Sequence, residues 1–162
     1  MPQPFNGSIE IPSGLPLQPL FVRAALGLLV AGAVRLQSRC LVSDSTFENN
    51  ITYLLEAEMA AAQRDGIGTI VQFDTRVNTA ADANDPLVRG EIDIKFRWEQ
   101  YPTIHERYLA VEAKRLFGKG HSLADKYVTE GVIDFIQAKY GRGHDHGIML
   151  GYVVVPPLAQ RF

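Results

Sequence analysis

Asp93, Glu112 and Lys114 are the residues of this sequence whose types and spacing could do chemistry together. Glu112 and Lys114 are two residues apart in an apolar stretch, so in a strand both side chains lie on one face. Carboxylate oxygens bind Mg²⁺, and a neighbouring ammonium can position an attacking water or meet developing negative charge. These residue types therefore predict a site for metal-assisted hydrolysis.

Two predicted strands carry these residues. Apolar and charged residues alternate through 90–96, which is typical of a strand with one buried face. The second strand spans 108–116. We expect the two strands to pair as a hairpin, which would bring Asp93 close to Glu112 and Lys114.

The composition of the chain is that of one soluble globular domain: 162 residues, 46% hydrophobic and 21% charged. The single cysteine, Cys40, excludes an intramolecular disulfide and a thiolate zinc cluster, and it suits a reducing cytoplasm. The net charge is −2, but its distribution is uneven. Residues 40–93 hold ten acids and three bases, whereas 114–146 hold six bases and four acids. This polarity is compatible with binding both metal and phosphate, and equally with chance.

The N-terminal part differs in composition from the rest. Residues 1–19 contain five prolines and predict an extended arm. Residues 20–43 predict a helix and a linker, with an apolar run over 24–34. Eleven residues are too few for the ~20 that a membrane span needs, so we expect this run to be buried in the domain or against a second copy. A signal peptide is the weaker alternative because the preceding segment lacks a basic region. Residues 44–162 form the predicted core.

Helical and strand patterns follow one another in a defined order within that core. Before the two motif strands we predict a helix over 44–64, capped by Asp44 or Ser45 and stopped by Asp65-Gly66, a strand over 69–73 and a polar loop over 74–89. After them we predict a helix over 122–140 and a strand over 148–155. The last strand is almost wholly apolar, so we expect it to be central in the sheet.

This order of elements resembles the PD-(D/E)XK nuclease superfamily. That superfamily has a restriction-endonuclease-like α/β fold with an αβββαβ core, in which a mixed four-stranded sheet is flanked by helices. Its first acid lies on the second strand and its E-x-K motif on the third, where Asp93 and Glu112-Ala113-Lys114 fall. Ile92 stands where many members have proline. The resemblance covers 44–155 and leaves the N-terminal helix as an addition.

The resemblance implies a Mg²⁺- or Mn²⁺-dependent endonuclease that hydrolyses phosphodiester bonds, with DNA favoured as the substrate and RNA as the alternative. Asp93, Glu112 and the backbone carbonyl of Ala113 would bind the metal, and Lys114 would act on the water or the developing charge. Members of the superfamily often add a glutamate from the first core helix; Glu48 is the candidate here, with Glu56 and Glu58 as alternatives.

Partners and alternative functions also follow from the resemblance. We expect a homodimer or partner protein subunits and no membrane, and a looser similarity over 127–152 suggests a prokaryotic anti-phage defence complex. The alternatives are a catalytically inactive nuclease-like subunit that binds nucleic acid or scaffolds a complex, and an interaction module whose charges are incidental. Glu91 is either a carboxylate close to the metal ligands or a strand-edge charge, and we favour the strand edge. Gln137 and Tyr140 resemble a glutamine–tyrosine pair of some branches of the superfamily, but they are three residues apart and not four. His144, Asp145 and His146 could form a metal site of their own, but their glycine neighbours favour a loop.

Overall fold

Two N-terminal helices and a four-stranded sheet make up most of the described structure, a computed structural model that covers residues 17–79, 90–98, 108–116, 125–132 and 146–154. In chain order its elements are α1 (Pro19–Ser38), α2 (Glu48–Arg64), β1 (Gln72–Thr79), β2 (Gly90–Arg97), β3 (Tyr108–Arg115), a π-helical segment (Tyr127–Val132) and β4 (Gly147–Tyr152). The predicted α/β class, with a mixed four-stranded sheet flanked by helices, is confirmed.

The sheet has the strand order β1-β2-β3-β4. β1 pairs with β2 and β2 with β3 in antiparallel fashion, whereas β3 and β4 are parallel. The alternation that predicted β2 is visible in its burial, since Ile92, Ile94 and Phe96 are at most 2% exposed. Ile94 and Phe96 belong to the main hydrophobic core with α1 and α2, so one face of the sheet packs on these helices.

β4 corrects one expectation, because it is the last strand in the described sheet and not a central one. Its apolar character has a different cause. Ile148 and Leu150 pack against the main core, while Gly151 on the opposite face lies against Leu116 and Tyr127. Both faces of an outer strand are thus covered, and continuous apolar sequence does not distinguish this case from a central strand.

α1 packs on α2 along one side. Phe21, Ala25 and Leu28 are fully buried, and a Cβ on Gly32 would lie 2.5 Å from the side chain of Met59, which shows how closely the helices approach. The apolar residues on the other side remain open, as Leu20, Val30 and Val34 are each 60% exposed. The expected burial of this run holds for one face of the helix. By length and composition α1 could also cross a membrane, a test that core helices of soluble proteins pass as well.

α2 buries one side, with Ile51, Leu55 and Met59 at most 2% exposed, but begins later than predicted, at Glu48 and not at residue 44. The polar residues before it bond to one another: the Ser43 amide donates to the Thr46 hydroxyl at 2.9 Å, and the Ser43 and Ser45 hydroxyls lie 2.9 Å apart. These side chains therefore form a turn and not a helix cap. The predicted stop is confirmed, with Asp65 after the last helical residue and Gly66 at a φ of 91°.

β1 also differs from the prediction of a strand over 69–73 followed by a loop over 74–89. The strand is Gln72–Thr79, because its polar side chains find partners across the fold. Asp74 forms an ion pair with Arg97 at 2.5 Å, and Thr75 donates a hydrogen bond to Glu56 at 2.7 Å. Residues 80–89 lie outside the described structure.

The helix predicted over 122–140 is described only at residues 125–132, where Tyr127–Val132 are π-helical. The Tyr127 hydroxyl donates to the carbonyl of Met149 on β4 at 3.4 Å. The Tyr127 ring also lies on the Cβ side of Gly151, which places the segment on the sheet face opposite α1 and α2. Gln137, Tyr140, His144 and Asp145 lie outside the described residues.

Candidate active site

The site begins where β2 and β3 part. Their pairing runs from Arg97–Tyr108 to Ile94–Val111. Continued by one residue, this register would set Asp93 opposite Glu112 on the sheet face away from α1 and α2. Instead of extending the backbone ladder, the Ala113 amide donates to the Asp93 carboxylate at 2.7 Å. A side chain thus replaces the next ladder bond, and a gap opens between the strands.

A second carboxylate continues the same edge of β3. The amide of Arg115, two residues beyond Ala113, donates to Glu48 Oε2 at 2.7 Å. Alternate residues of a strand direct their N–H and C=O groups to the same side, so the carbonyl of Ala113 also faces the gap. Asp93, Glu48 and this carbonyl therefore border one opening, two of them held by amides of β3.

The side chains of Glu112 and Lys114 also lie at this opening, next to Glu48. The Lys114 ammonium lies 2.8 Å from Glu112 Oε1 and 3.6 Å from Glu48 Oε1. The Glu112 side chain is 6% exposed and that of Lys114 is 16% exposed. The predicted convergence of Asp93 with Glu112 and Lys114 is thus present, and Glu48 joins it from α2.

The electrostatics of the site reflect this crowding of acids. Burial raises the pKa of Asp93 above its usual value, against the Ala113 hydrogen bond and the Lys114 charge, which lower it. Burial lowers the pKa of Lys114, but the hydrogen bond to Glu112 and the charges of Glu112, Glu48 and Asp93 outweigh it, so the net pKa is raised. Lys114 is therefore a fixed positive charge among carboxylates.

The other side of Asp93 is irregular as well. The β1–β2 pairing includes Thr75–Ile94 and Val77–Ile92 but skips the position between them, where Arg76 faces Asp93. Arg76 has a φ of 54°, a left-handed conformation that is uncommon for residues other than glycine. The pairing of β2 with β1 and its pairing with β3 are thus both interrupted at Asp93.

The alternatives to Glu48 point elsewhere. Glu56 accepts from Thr75 at 2.7 Å, and Glu58 is buried between Arg35 and Arg39, where it ties α2 to α1. Glu91 accepts from Arg76 at 2.7 Å, in keeping with a strand-edge charge. Of the helix glutamates considered, the described structure brings Glu48 to the site.

Sequence reasoning missed Arg115, Thr52 and Tyr152, whose side chains bond around the start of α2. Arg115 directly follows the E-x-K motif, but nothing in its type or spacing distinguishes it from a surface arginine. Tyr152 carries a weak signal, because a polar hydroxyl in an otherwise apolar strand needs a hydrogen-bond partner.

The residues at the site fit a hard divalent cation that takes few protein ligands and completes its coordination with water. Within the described ranges, no group of three or more His, Cys, Asp or Glu side chains is arranged to hold a metal ion. Mg²⁺ does not require such a cage, since it commonly uses one or two carboxylates and keeps several waters. The Lys114 ammonium, already held between Glu112 and Glu48, shows that a positive charge is accommodated there.

Comparison with protein families, curated proteins and solved structures finds no match to this chain.

Proposed function

We propose that the protein is a metal-dependent endonuclease with a restriction-endonuclease-like fold that hydrolyses phosphodiester bonds, in DNA rather than RNA. One observation carries the proposal. Where β2 and β3 part, Asp93, Glu48 and Glu112 converge around the Lys114 ammonium. This supports the roles that the resemblance to the PD-(D/E)XK superfamily implies.

Each residue has a distinct task in this proposal. Asp93, Glu112 and the Ala113 carbonyl hold Mg²⁺ or Mn²⁺, with Glu48 as a further ligand, directly or through water. When bound, such an ion would supply polarisation of the phosphate and a nucleophile near neutral pH. Lys114 offers three N–H donors to the attacking water or to the phosphate oxygens on which charge develops.

The hydrogen bond from Ala113 explains how Asp93 is made ready for this task. It fixes one carboxylate oxygen and so limits the rotation of the side chain before any ligand arrives. Preorganised groups cost little rearrangement during reaction, and much of the catalytic gain in enzymes is attributed to such arrangements.

The test is a cleavage assay on supercoiled, linear and single-stranded DNA and on RNA, with Mg²⁺, Mn²⁺ or EDTA. We expect cleavage of DNA with either metal and none in EDTA. Asp93→Asn and Glu112→Gln should abolish it, because each removes a charge that the ion needs, and Mn²⁺ affinity measured by calorimetry should fall in both.

Glu56→Gln is the matched control, since this carboxylate lies on α2 but bonds to Thr75 on β1. It should leave both cleavage and Mn²⁺ affinity close to wild type. Unchanged metal affinity in Asp93→Asn and Glu112→Gln would overturn the site assignment. DNA binding without metal-dependent cleavage would favour the inactive nuclease-like subunit. A homodimer, partner subunits and a role in phage defence stay predictions.

A further inference from the structure

Glu48 reaches the site by a different route from the other acids. Asp93 and Glu112 lie on strands, whereas Glu48 is the first residue of α2. Helix termini fray unless side chains or neighbouring elements hold them. The position of this carboxylate therefore depends on what fixes the start of α2 against the sheet.

Arg115 holds this region from β3 at three points. Its amide donates to Glu48 Oε2 at 2.7 Å. Its guanidinium donates to the carbonyl of Thr46 at 3.1 Å and also to the carbonyl of Asp44. One residue thus binds both the carboxylate and the chain that leads into the helix.

Tyr152 holds the same region from β4. Its hydroxyl lies 2.9 Å from that of Thr52, and the Thr52 hydroxyl donates to the Glu48 carbonyl at 3.3 Å. A hydroxyl has one hydrogen to donate, so Tyr152 is the donor to Thr52. Thr52 is 1% exposed and Tyr152 9% exposed, so water does not readily replace this chain of bonds.

The two residues that contact the start of α2 are neighbours on the sheet. Arg115 and Tyr152 are register partners on β3 and β4, and the Leu116 amide donates to the Tyr152 carbonyl at 3.0 Å. Burial raises the pKa of the Tyr152 hydroxyl, and the charges of Asp93 and Glu48 raise it further, which keeps it protonated as a donor.

We infer that Arg115 and, through Thr52, Tyr152 are positioning residues that hold Glu48 at the metal site. The inference rests on the proposed function and adds to it a purpose for two residues that touch neither the metal nor the substrate. Residues that orient metal ligands typically change metal affinity about 10- to 100-fold when they are removed. Their loss should therefore be measurable in the binding of the ion itself.

Mn²⁺ binding by calorimetry tests the inference on the full chain. Tyr152→Phe should weaken Mn²⁺ binding by about 10-fold. Tyr127→Phe is the matched control, because that hydroxyl also bonds to the sheet, at the Met149 carbonyl, but has no link to Glu48. It should bind Mn²⁺ like wild type. Thr52→Val should repeat the loss and Thr52→Ser, which keeps the hydroxyl, should restore binding.

A double-mutant cycle separates positioning from general damage to the fold. In a Glu48→Gln background, Tyr152→Phe and Arg115→Ala should cause little further loss of Mn²⁺ affinity, because the carboxylate that they hold is already gone. Equal losses with and without Glu48 would overturn the inference, as would equal behaviour of Tyr152→Phe and Tyr127→Phe. If Tyr152→Phe does not fold, the Thr52 pair decides by the same criterion.

The proposed function and this inference fail in different ways. A wild-type protein that binds no Mn²⁺ and cuts no DNA would overturn both. A wild-type protein that binds Mn²⁺ and cuts DNA, with a Tyr152→Phe variant of unchanged affinity, would overturn the positioning role alone.

Discussion

Lys114→Met removes the positive charge at the centre of the site while keeping most of the side-chain volume. Lys114 contacts Glu112 at 2.8 Å and Glu48 at 3.6 Å, and the Asp93 charge also acts on it. Without the ammonium, these carboxylates repel one another in a partly dry environment. We therefore expect the variant to be less stable than wild type when no metal is present.

The size of this effect follows from burial. Removing one partner of a buried ion pair costs about 3–5 kcal/mol. Because the Lys114 side chain is still 16% exposed, we expect a loss of stability at the lower end of this range, about 3 kcal/mol. For a domain of this size that corresponds to a decrease in melting temperature of about 6–12 °C.

Mn²⁺ should reverse the loss. A ligand at 100 times its dissociation constant stabilises a protein by about 2.7 kcal/mol, close to the expected deficit. The rise in melting temperature with Mn²⁺ should be larger in Lys114→Met than in wild type, because no ammonium competes with the ion. The cleavage rate should nevertheless fall by a factor on the order of 10² or more, since Lys114 acts in the transition state.

The pH dependence has a defined sign. Lys114 has a raised pKa in the folded state, so its stabilising contribution is fully present below the usual lysine value and is lost only as the pH rises through the folded pKa. Asp93, whose pKa is raised by burial, takes up a proton as the pH falls and then no longer needs a counter-charge. The stability difference between wild type and Lys114→Met should thus persist at pH 8 and narrow as the pH falls into the acid range.

Thermal unfolding in EDTA, with and without added Mn²⁺, measures these effects. Lys95→Met is the control, because Lys95, like Lys114, is a partly buried lysine of the sheet. It lies on β2, and its ammonium lies 4.4 Å from the centre of the Tyr108 ring. That contact is worth about 0.5–1 kcal/mol. Equal melting temperatures of the two variants in EDTA would refute the reasoning, and so would an equal response of both to Mn²⁺.

Three further changes test other parts of the structure. Burial raises the pKa of Asp93, so its charged form opposes folding increasingly as the pH rises. Asp93→Asn should therefore hold or raise the melting temperature in EDTA, and the gain should be larger at pH 8 than at pH 5. A decrease in melting temperature at pH 8 would contradict this. Gly32→Ala should lower the free energy of unfolding by about 1–3 kcal/mol through overpacking against α2. Gly27→Ala, whose new methyl group would meet nothing within 4 Å, should raise the free energy of unfolding by about 0.5–1 kcal/mol. Urea unfolding of both variants checks that Gly27→Ala is the more stable. The hydrogen bond from Arg39 lowers the pKa of Glu58, so Glu58→Gln should lower the urea midpoint at pH 7. This difference should shrink as the pH falls below the usual range of a glutamate, and a difference that does not change with pH would argue against the ion pair.

Local periodicity predicted much of the hairpin and of α2. The alternation around Ile94 and Phe96 determines which face of β2 packs on the main core, and the spacing of Glu112 and Lys114 fixes their common face. The end of α2 followed from Asp65-Gly66. These features depend on neighbours along the chain, which is why sequence patterns suffice for them.

The parts that sequence did not predict depend on contacts between distant residues. The amide of Arg115 bonds to Glu48 across 67 positions, and Tyr152 reaches Thr52 across 100. Such bonds also explain the errors at element boundaries. The polar residues of β1 are typical of a loop in the sequence, and it is the ion pair of Asp74 with Arg97 on β2 that accounts for a strand there.

The left-handed conformation of Arg76 has a consequence for how β1 could pair with another strand. β1 is the first strand of the described sheet, and an outer strand with a regular row of free backbone groups is a template for pairing with other chains. Arg76 breaks that row in the middle of β1, and its guanidinium is held by Glu91 at 2.7 Å and by the Tyr53 hydroxyl at 3.2 Å. The conformation that interrupts the ladder beside Asp93 therefore also makes this border of the described sheet a poorer template for the addition of another strand.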